Sequence, residues 1–114
     1  MSISPTQRTL KQLRTDGFDC AIAEHWDPFA KIRQDLFGFI DILAVRKSII
    51  CGVQCTSSTN HSARRKKILS LPMAKRWLIA GGLIAIYSWG SGRKPEYRIE
   101  SITLKDFGDD ANAS

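Results

Sequence analysis

The runs Phe39-Ile40-Asp41-Ile42-Leu43-Ala44-Val45 and Ile49-Ile50-Cys51-Gly52-Val53-Gln54-Cys55-Thr56 decide how this chain is read. Both are rich in β-branched residues, and only Arg46-Lys47-Ser48 separates them, so the simplest topology is an antiparallel hairpin. Each run also holds a polar side chain at odds with its neighbours. Asp41 is embedded among Phe37, Phe39, Ile40, Ile42 and Leu43, and a carboxylate in such a segment requires a specific partner or a ligand. Gln54 and Thr56 share one face of the second strand by alternation, which turns Cys55 to the other.

Working toward the N-terminus, Phe18 to Trp26 reads as a strand, because Phe18, Cys20 and Ile22 recur at every second position and Glu24 continues that series. Asp27-Pro28 breaks it, and Phe29 to Gly38 is a loop or a short helix. Before the strand, Ser4-Pro5-Thr6-Gln7 has the form of a helix start, with Ser4 as N-cap and Pro5 at the first helical position. Leu10 and Leu13 then face the core until Gly17 ends the helix. Toward the C-terminus, Ser57 to His61 is a polar break and a helix follows through Leu69, with Ser62 or a neighbour near its cap. Pro72 opens another helix that stops at Gly81-Gly82. Leu83 to Trp89 has the character of a central strand, and Tyr97 to Leu104 adds an edge strand after a Gly90 to Pro95 turn. The order predicts a compact α/β domain with a central mixed β-sheet flanked by helices. Residues 1–105 form this single domain, with 106–114 as a flexible C-terminal tail.

A length of 114 residues leaves room for one core, which excludes a multidomain enzyme with its own separate cofactor module. The 43% apolar and 25% charged shares exclude global disorder. Cys20, Cys51 and Cys55 cannot all pair within one chain and form no Cys-x-x-Cys motif, so they read as reduced thiols of a cytoplasmic protein. No secretory-type apolar stretch follows Arg8 and Lys11. The longest apolar patch, Trp77 to Trp89, is broken by Gly81, Gly82 and Ser88 and is too short for a bilayer, so no membrane association is expected.

The net charge of +6 favours an anionic partner. All the acids lie outside residues 42–95, whereas Arg64, Arg65, Lys66, Lys67, Lys75, Arg76, Arg93 and Lys94 lie within. Such a segment suits a phosphate-binding surface, although four consecutive bases must wrap a helix rather than form one stripe. Trp77 and Trp89 read as core aromatics rather than base-stacking platforms. Glu24, Asp41 and Gln54 fall on three consecutive predicted strands. Two carboxylates and an amide oxygen are ligands for Mg²⁺ or Mn²⁺, with water and phosphate oxygens completing the shell, and this set suits phosphodiester hydrolysis.

Three segments carry a resemblance: Gly17-Phe18-Asp19-Cys20-Ala21-Ile22-Ala23-Glu24-His25-Trp26, then Arg33-Gln34-Asp35-Leu36-Phe37-Gly38-Phe39-Ile40-Asp41-Ile42-Leu43-Ala44, then Gly52-Val53-Gln54-Cys55-Thr56-Ser57. Together they resemble the core of the PD-(D/E)XK nuclease superfamily, and most of all its small Holliday-junction-resolvase-like and phage-associated members. The resemblance implies a restriction-endonuclease-like fold. It also implies that Asp41 is the acid of the second core strand, with Ile40 in place of the usual proline. Gln54-Cys55-Thr56 aligns with the acid-x-Lys triplet, so Gln54 stands at the second metal-ligand position and Thr56 at that of the lysine. A glutamine offers an oxygen without charge, and a threonine cannot act as an ammonium.

By this resemblance the function is metal-dependent cleavage of a DNA phosphodiester, with branched DNA as the substrate class. Glu24, Asp41, Gln54 and Thr56 form the catalytic set, and Glu24, Asp41 and Gln54 hold the metal. Asn60, Arg64, Arg65, Lys66, Lys67, Lys75 and Arg76 contact DNA. Arg64, Arg65 or Lys67 reaches back from the following helix to replace the missing lysine, and Asn60 either caps that helix or touches phosphate. Asp35 is a further candidate ligand and His61 a weaker candidate base. Similar resolvases are homodimers, because resolving a junction needs two cuts. Two alternatives remain open here: a nuclease-fold DNA-binding module without strong catalysis, and a structural or protein-interaction domain.

Overall fold

Helix α1 (Pro5–Thr15) begins where Ser4 Oγ accepts the Gln7 N–H at 3.2 Å, with Pro5 supplying a pre-set φ at the first helical position. It buries Leu10 and Leu13 and ends before Gly17, whose φ of +90° reverses the chain. The computed structural model describes residues 3–91 and 96–108. Residues 92–95, which include Arg93 and Lys94, lie outside these, as do residues 1–2 and 109–114.

After α1 come β1 (Asp19–Ile22), β2 (His25–Asp27), β3 (Ile32–Gln34), β4 (Ile42–Arg46) and β5 (Ile49–Ser57). A 3-10 turn then leads into α2 (His61–Leu69), α3 (Pro72–Ile79), β6 (Leu83–Trp89), β7 (Tyr97–Ile102) and a closing 3-10 turn, Leu104–Phe107. The main sheet has the order β1-β4-β5-β6-β7. β4 and β5 form the expected antiparallel hairpin, closed at Arg46↔Ile49 with Lys47 at φ +54° in the turn. β5 and β6 are parallel, and α2 and α3 provide the crossover that a parallel pair requires. Strands β1 and β7 close the edges antiparallel.

Alternation along β5 and β6 sends side chains into two cores. Val53, Cys55, Ala85, Tyr87 and Trp89 pack with Leu10 and Leu13 of α1. On the opposite face Ile84, Ile86 and Ile102 pack with Phe39, Ile40, Ile68 and Ala74, which puts α2 and α3 there. Burying each large aliphatic side chain contributes about 2 kcal/mol, so both sheet faces must be covered for the strands to persist. Trp89 is buried, donates Nε1–H to Thr9 Oγ1 at 2.9 Å and stacks on Tyr97, and Trp77 packs beside the second core. The domain is a restriction-endonuclease-like α/β fold with a central mixed sheet.

Two expectations are corrected. The strand expected through Trp26 stops at Ile22, because the Ala23 N–H donates to the Asp41 carbonyl and β4 offers no residue beyond that to pair with. The segment expected as loop or helix instead contributes β3, which folds back on β2 as a separate two-stranded sheet. Asp27 sets its turn, with Oδ1 accepting the Phe29 and Ala30 N–H groups at 2.9 and 3.2 Å. The closing 3-10 turn, Leu104–Phe107, is tied to its neighbours through Asp106. Asp106 Oδ2 accepts the Thr103 N–H at 2.8 Å, and Asp106 Oδ1 accepts a 2.9 Å bond from Arg65.

Candidate metal centre

Asp41 lies one residue ahead of β4, held from both sides: its N–H donates to the Val53 carbonyl and its carbonyl accepts from Ala23. The Leu36–Ile40 reversal before it is tight, with Phe37 at φ +57° and Gly38 at +86°. Ile40 lies directly over Gly52, where an added Cβ would stand 2.8 Å from it. This close approach seats Phe39 and Ile40 on the sheet and presents the Asp41 carboxylate beside Gln54.

Ligand oxygens of Glu24, Asp35 and Asp41 all lie within 4.8 Å of one another. Glu24 occupies the link from β1 to β2, and Asp35 follows β3 directly, so the β2–β3 hairpin carries an acid at each end of its base. The acids line a cleft of about 600 Å³ together with Thr6, Arg33, Gln34, Gln54, Arg64 and Lys67. Arg33 Nη1 stands 3.5 Å from Glu24, and Lys67 Nζ stands 3.4 Å from Asp35.

Burial and the adjacent Asp35 push the Asp41 carboxyl up to about 8, with the charge of Glu24 adding to the effect and the Cys55 N–H opposing it. Burial acts to raise Asp35 as well, but the proton held by Asp41 together with Lys67 and Gln54 outweighs it, so Asp35 stays below its ordinary value. At neutral pH the pair therefore shares one proton, carried by Asp41. Asp41 Oδ2 accepts the Cys55 N–H at 2.8 Å and Gln54 Nε2–H at 2.7 Å.

Gln54 is 1% exposed, and its Oε1 has no hydrogen-bond partner. A buried acceptor left without a partner calls for an explanation. With a divalent cation bound, Asp41 would be deprotonated, and reversal of the Gln54 amide would offer Oε1 to the ion in place of Nε2. Three carboxylates and an amide oxygen are hard donors that match Mg²⁺ or Mn²⁺.

The structure thus brings the carboxylates of Glu24, Asp35 and Asp41 together, with Gln54 beside Asp41. Gln54 approaches Asp41 through nitrogen rather than oxygen in this state. Thr56 shares the Gln54 face but is buried beyond it and does not line the cleft, so it does not belong with the acids. Of the basic residues, Arg64 and Lys67 face the acids. Arg65 does not: Nε donates to Glu100 Oε2 and Nη2 to Asp106 Oδ1, each at 2.9 Å. These two carboxylates offset its charge and turn it toward β7. Lys66 and Arg76 are exposed and Lys75 half-buried, and among the described residues none of the three forms an ion pair or lines this cleft. Asn60 stands at the α2 N-cap position without making a side-chain cap bond. His61 is buried against β6 and β7, with Nδ1 2.8 Å from Ser88 Oγ and Nε2 2.6 Å from Glu100, and takes no part in the acid cluster.

Asp35 carried one signal in sequence, an acid six residues before Asp41 across a glycine-containing reversal, but only the turn itself converts that spacing into proximity. The three cysteines are unpaired, with Cys55 buried, and among the described residues no helix is long and apolar enough to cross a membrane. No protein-family model matches the chain, and no curated protein or solved structure gives a significant match.

Proposed function

We propose that this chain is a metal-dependent DNA endonuclease of PD-(D/E)XK type. One observation carries the reading: the carboxylates of Glu24, Asp35 and Asp41 converge in a cleft that Arg64 and Lys67 flank with positive charge, in a restriction-endonuclease-like sheet. Carboxylates beside bases are suited to a phosphodiester, which needs a cation on its oxygens and donors to hold it in line.

A bound Mg²⁺ or Mn²⁺ would supply Lewis acidity toward the phosphate and a more acidic water. Asp35 and Asp41, the latter deprotonated, would hold that ion, with Glu24 as the third carboxylate. Gln54 contributes Oε1 where the resemblance places an acid. Lys67 provides the ammonium that Thr56 cannot, reaching the site from α2, and Arg64 steadies the phosphate from the same helix. Backbone contacts of this kind read the shape and charge of DNA before base identity. Two cuts on a branched substrate would require two copies of the chain.

The test is cleavage of labelled duplex, single-stranded and four-way-junction DNA with Mg²⁺ or Mn²⁺, comparing wild type with Asp41→Asn and Lys67→Ala. Cleavage that vanishes in Asp41→Asn and falls at least 100-fold in Lys67→Ala supports the nuclease. A specific feature favours one second reading, a binding module: without a metal the Asp41 carboxyl is kept neutral by its proton and accepts from Gln54 Nε2, although Gln54 Oε1 stays unpartnered. Salt-sensitive DNA binding with no metal-dependent product establishes that reading instead.

A further inference from the structure

The β2–β3 hairpin leaves its large apolar side chains in water. Phe29 at its tip is 96% exposed, Trp26 56% and Ile32 52%. Two-stranded hairpins are marginal on their own, and large aromatics this exposed on such an element suit a contact surface. Trp26 pairs across the strands with Arg33. Directly opposed residues share a face, so Trp26 lies on the side of Arg33, which lines the acid cleft. Lys31 in the turn forms no ion pair among the described residues, Arg33 stands 3.5 Å from Glu24, and Asp27 holds the turn while Glu24 and Asp35 stand at the hairpin's base.

We propose that this hairpin is a stacking wedge for unpaired bases of DNA, so that the cleft beneath it acts where a duplex meets single-stranded or branched DNA. The proposal rests on the nuclease reading and specifies its substrate. Aromatic faces accept any base, while Lys31 at the tip and Arg64 and Lys67 in the cleft complement the phosphates on either side. Paired strands of three residues extend about 10 Å, so the tip stands about three base steps of a stacked strand from the acids. Phe29 then contacts bases near the junction while the phosphate between Arg64 and Lys67 belongs to the adjacent backbone. Trp26, midway, faces the strand joining them.

The test measures binding of the full chain to a gapped DNA with unpaired thymines and to a fully paired duplex of equal length, in metal-free buffer containing chelator. Wild type should prefer the gapped DNA, its Trp26 emission should be quenched on binding, and Trp26→Phe should remove that quenching. Phe29→Ala should lower the gapped-to-duplex affinity ratio about tenfold, the size of one lost base stack. The extreme exposure of Phe29 makes this variant safe for folding, which its thermal midpoint checks. An unchanged ratio overturns the proposal. So does concentration-dependent dimerisation that Phe29→Ala abolishes without changing the ratio, because the hairpin then binds a second copy of this chain. Loss of preference in Phe29→Ala with no strand scission by wild type in Mn²⁺ supports the wedge while refuting the nuclease. Scission with no dependence of substrate preference on Phe29 does the reverse.

Discussion

Replacing Asp41 with Asn should stabilise the metal-free protein, and increasingly so as pH rises. In the fold Asp41 keeps its proton to about 8, whereas its ordinary value is 3.8. Between these values the native state binds a proton that the unfolded chain has released. Stability therefore falls as pH rises through this window, by up to about 1.4 kcal/mol per unit. Asp35 works in the opposite direction but only at the acidic end: its folded value is depressed, so its contribution is present above 3.8 and lost as pH falls through the folded value. Asn retains an oxygen for the Cys55 and Gln54 N–H groups and offers Asp35 an N–H where the acid offered its proton. It does not titrate. From pH 5 to pH 8 the advantage of Asp41→Asn over wild type should grow by about 3 kcal/mol, a large share of the 5–15 kcal/mol typical of a whole domain. Urea unfolding at several pH values, with chelator and constant ionic strength, measures it. Parallel pH profiles, or a variant less stable than wild type at pH 8, would refute the reasoning. Mn²⁺ at about 100 times its dissociation constant should add about 2.7 kcal/mol to wild type and little to the variant.

Below pH 8 metal binding must release the Asp41 proton, so Mg²⁺ affinity should fall about tenfold per unit as pH is lowered, measurable by calorimetry in buffers of differing ionisation enthalpy. Gln54→Glu adds a fourth carboxylate and removes the Nε2–H donated to Asp41; it should cost about 3–5 kcal/mol without metal and tighten Mn²⁺ binding, which denaturation and titration would separate. His61→Ala should destabilise by about 1–3 kcal/mol, through the unpaired Ser88 hydroxyl and the bond lost to Glu100 Oε1, without altering Mn²⁺ affinity. Gly82→Ala drives a Cβ into the Trp77 ring and should cost about 1–3 kcal/mol in urea unfolding.

Features with a local cause were legible in the chain. Ser4 and Pro5 start α1, Gly17 ends it, and Pro72 and Gly81 bracket α3, because caps and turn residues act within a few positions. The β4–β5 hairpin follows from alternation and a short turn, and Asp41 stands out because an acid in an apolar run requires a partner. The β2–β3 hairpin was missed. His25, Trp26 and Asp27 continue the apparent pattern of β1, and nothing in that pattern shows that β4 ends opposite Ile22. The charged helix was half legible: its position was clear, but not which of its bases faces the acids.

By itself, then, the sequence determined the order of the helices and main-sheet strands, the two-sided sheet and the singular carboxylate at Asp41, since these depend on periodicity and short-range backbone geometry. Tertiary structure alone decided that Asp35 joins Glu24 and Asp41, that Lys67 faces them, and that Arg65 turns to Glu100 and Asp106. The reason is that consecutive helical residues differ by about 100° in direction. Which of four successive bases meets a carboxylate depends on where segments 32 to 41 residues distant place their acids.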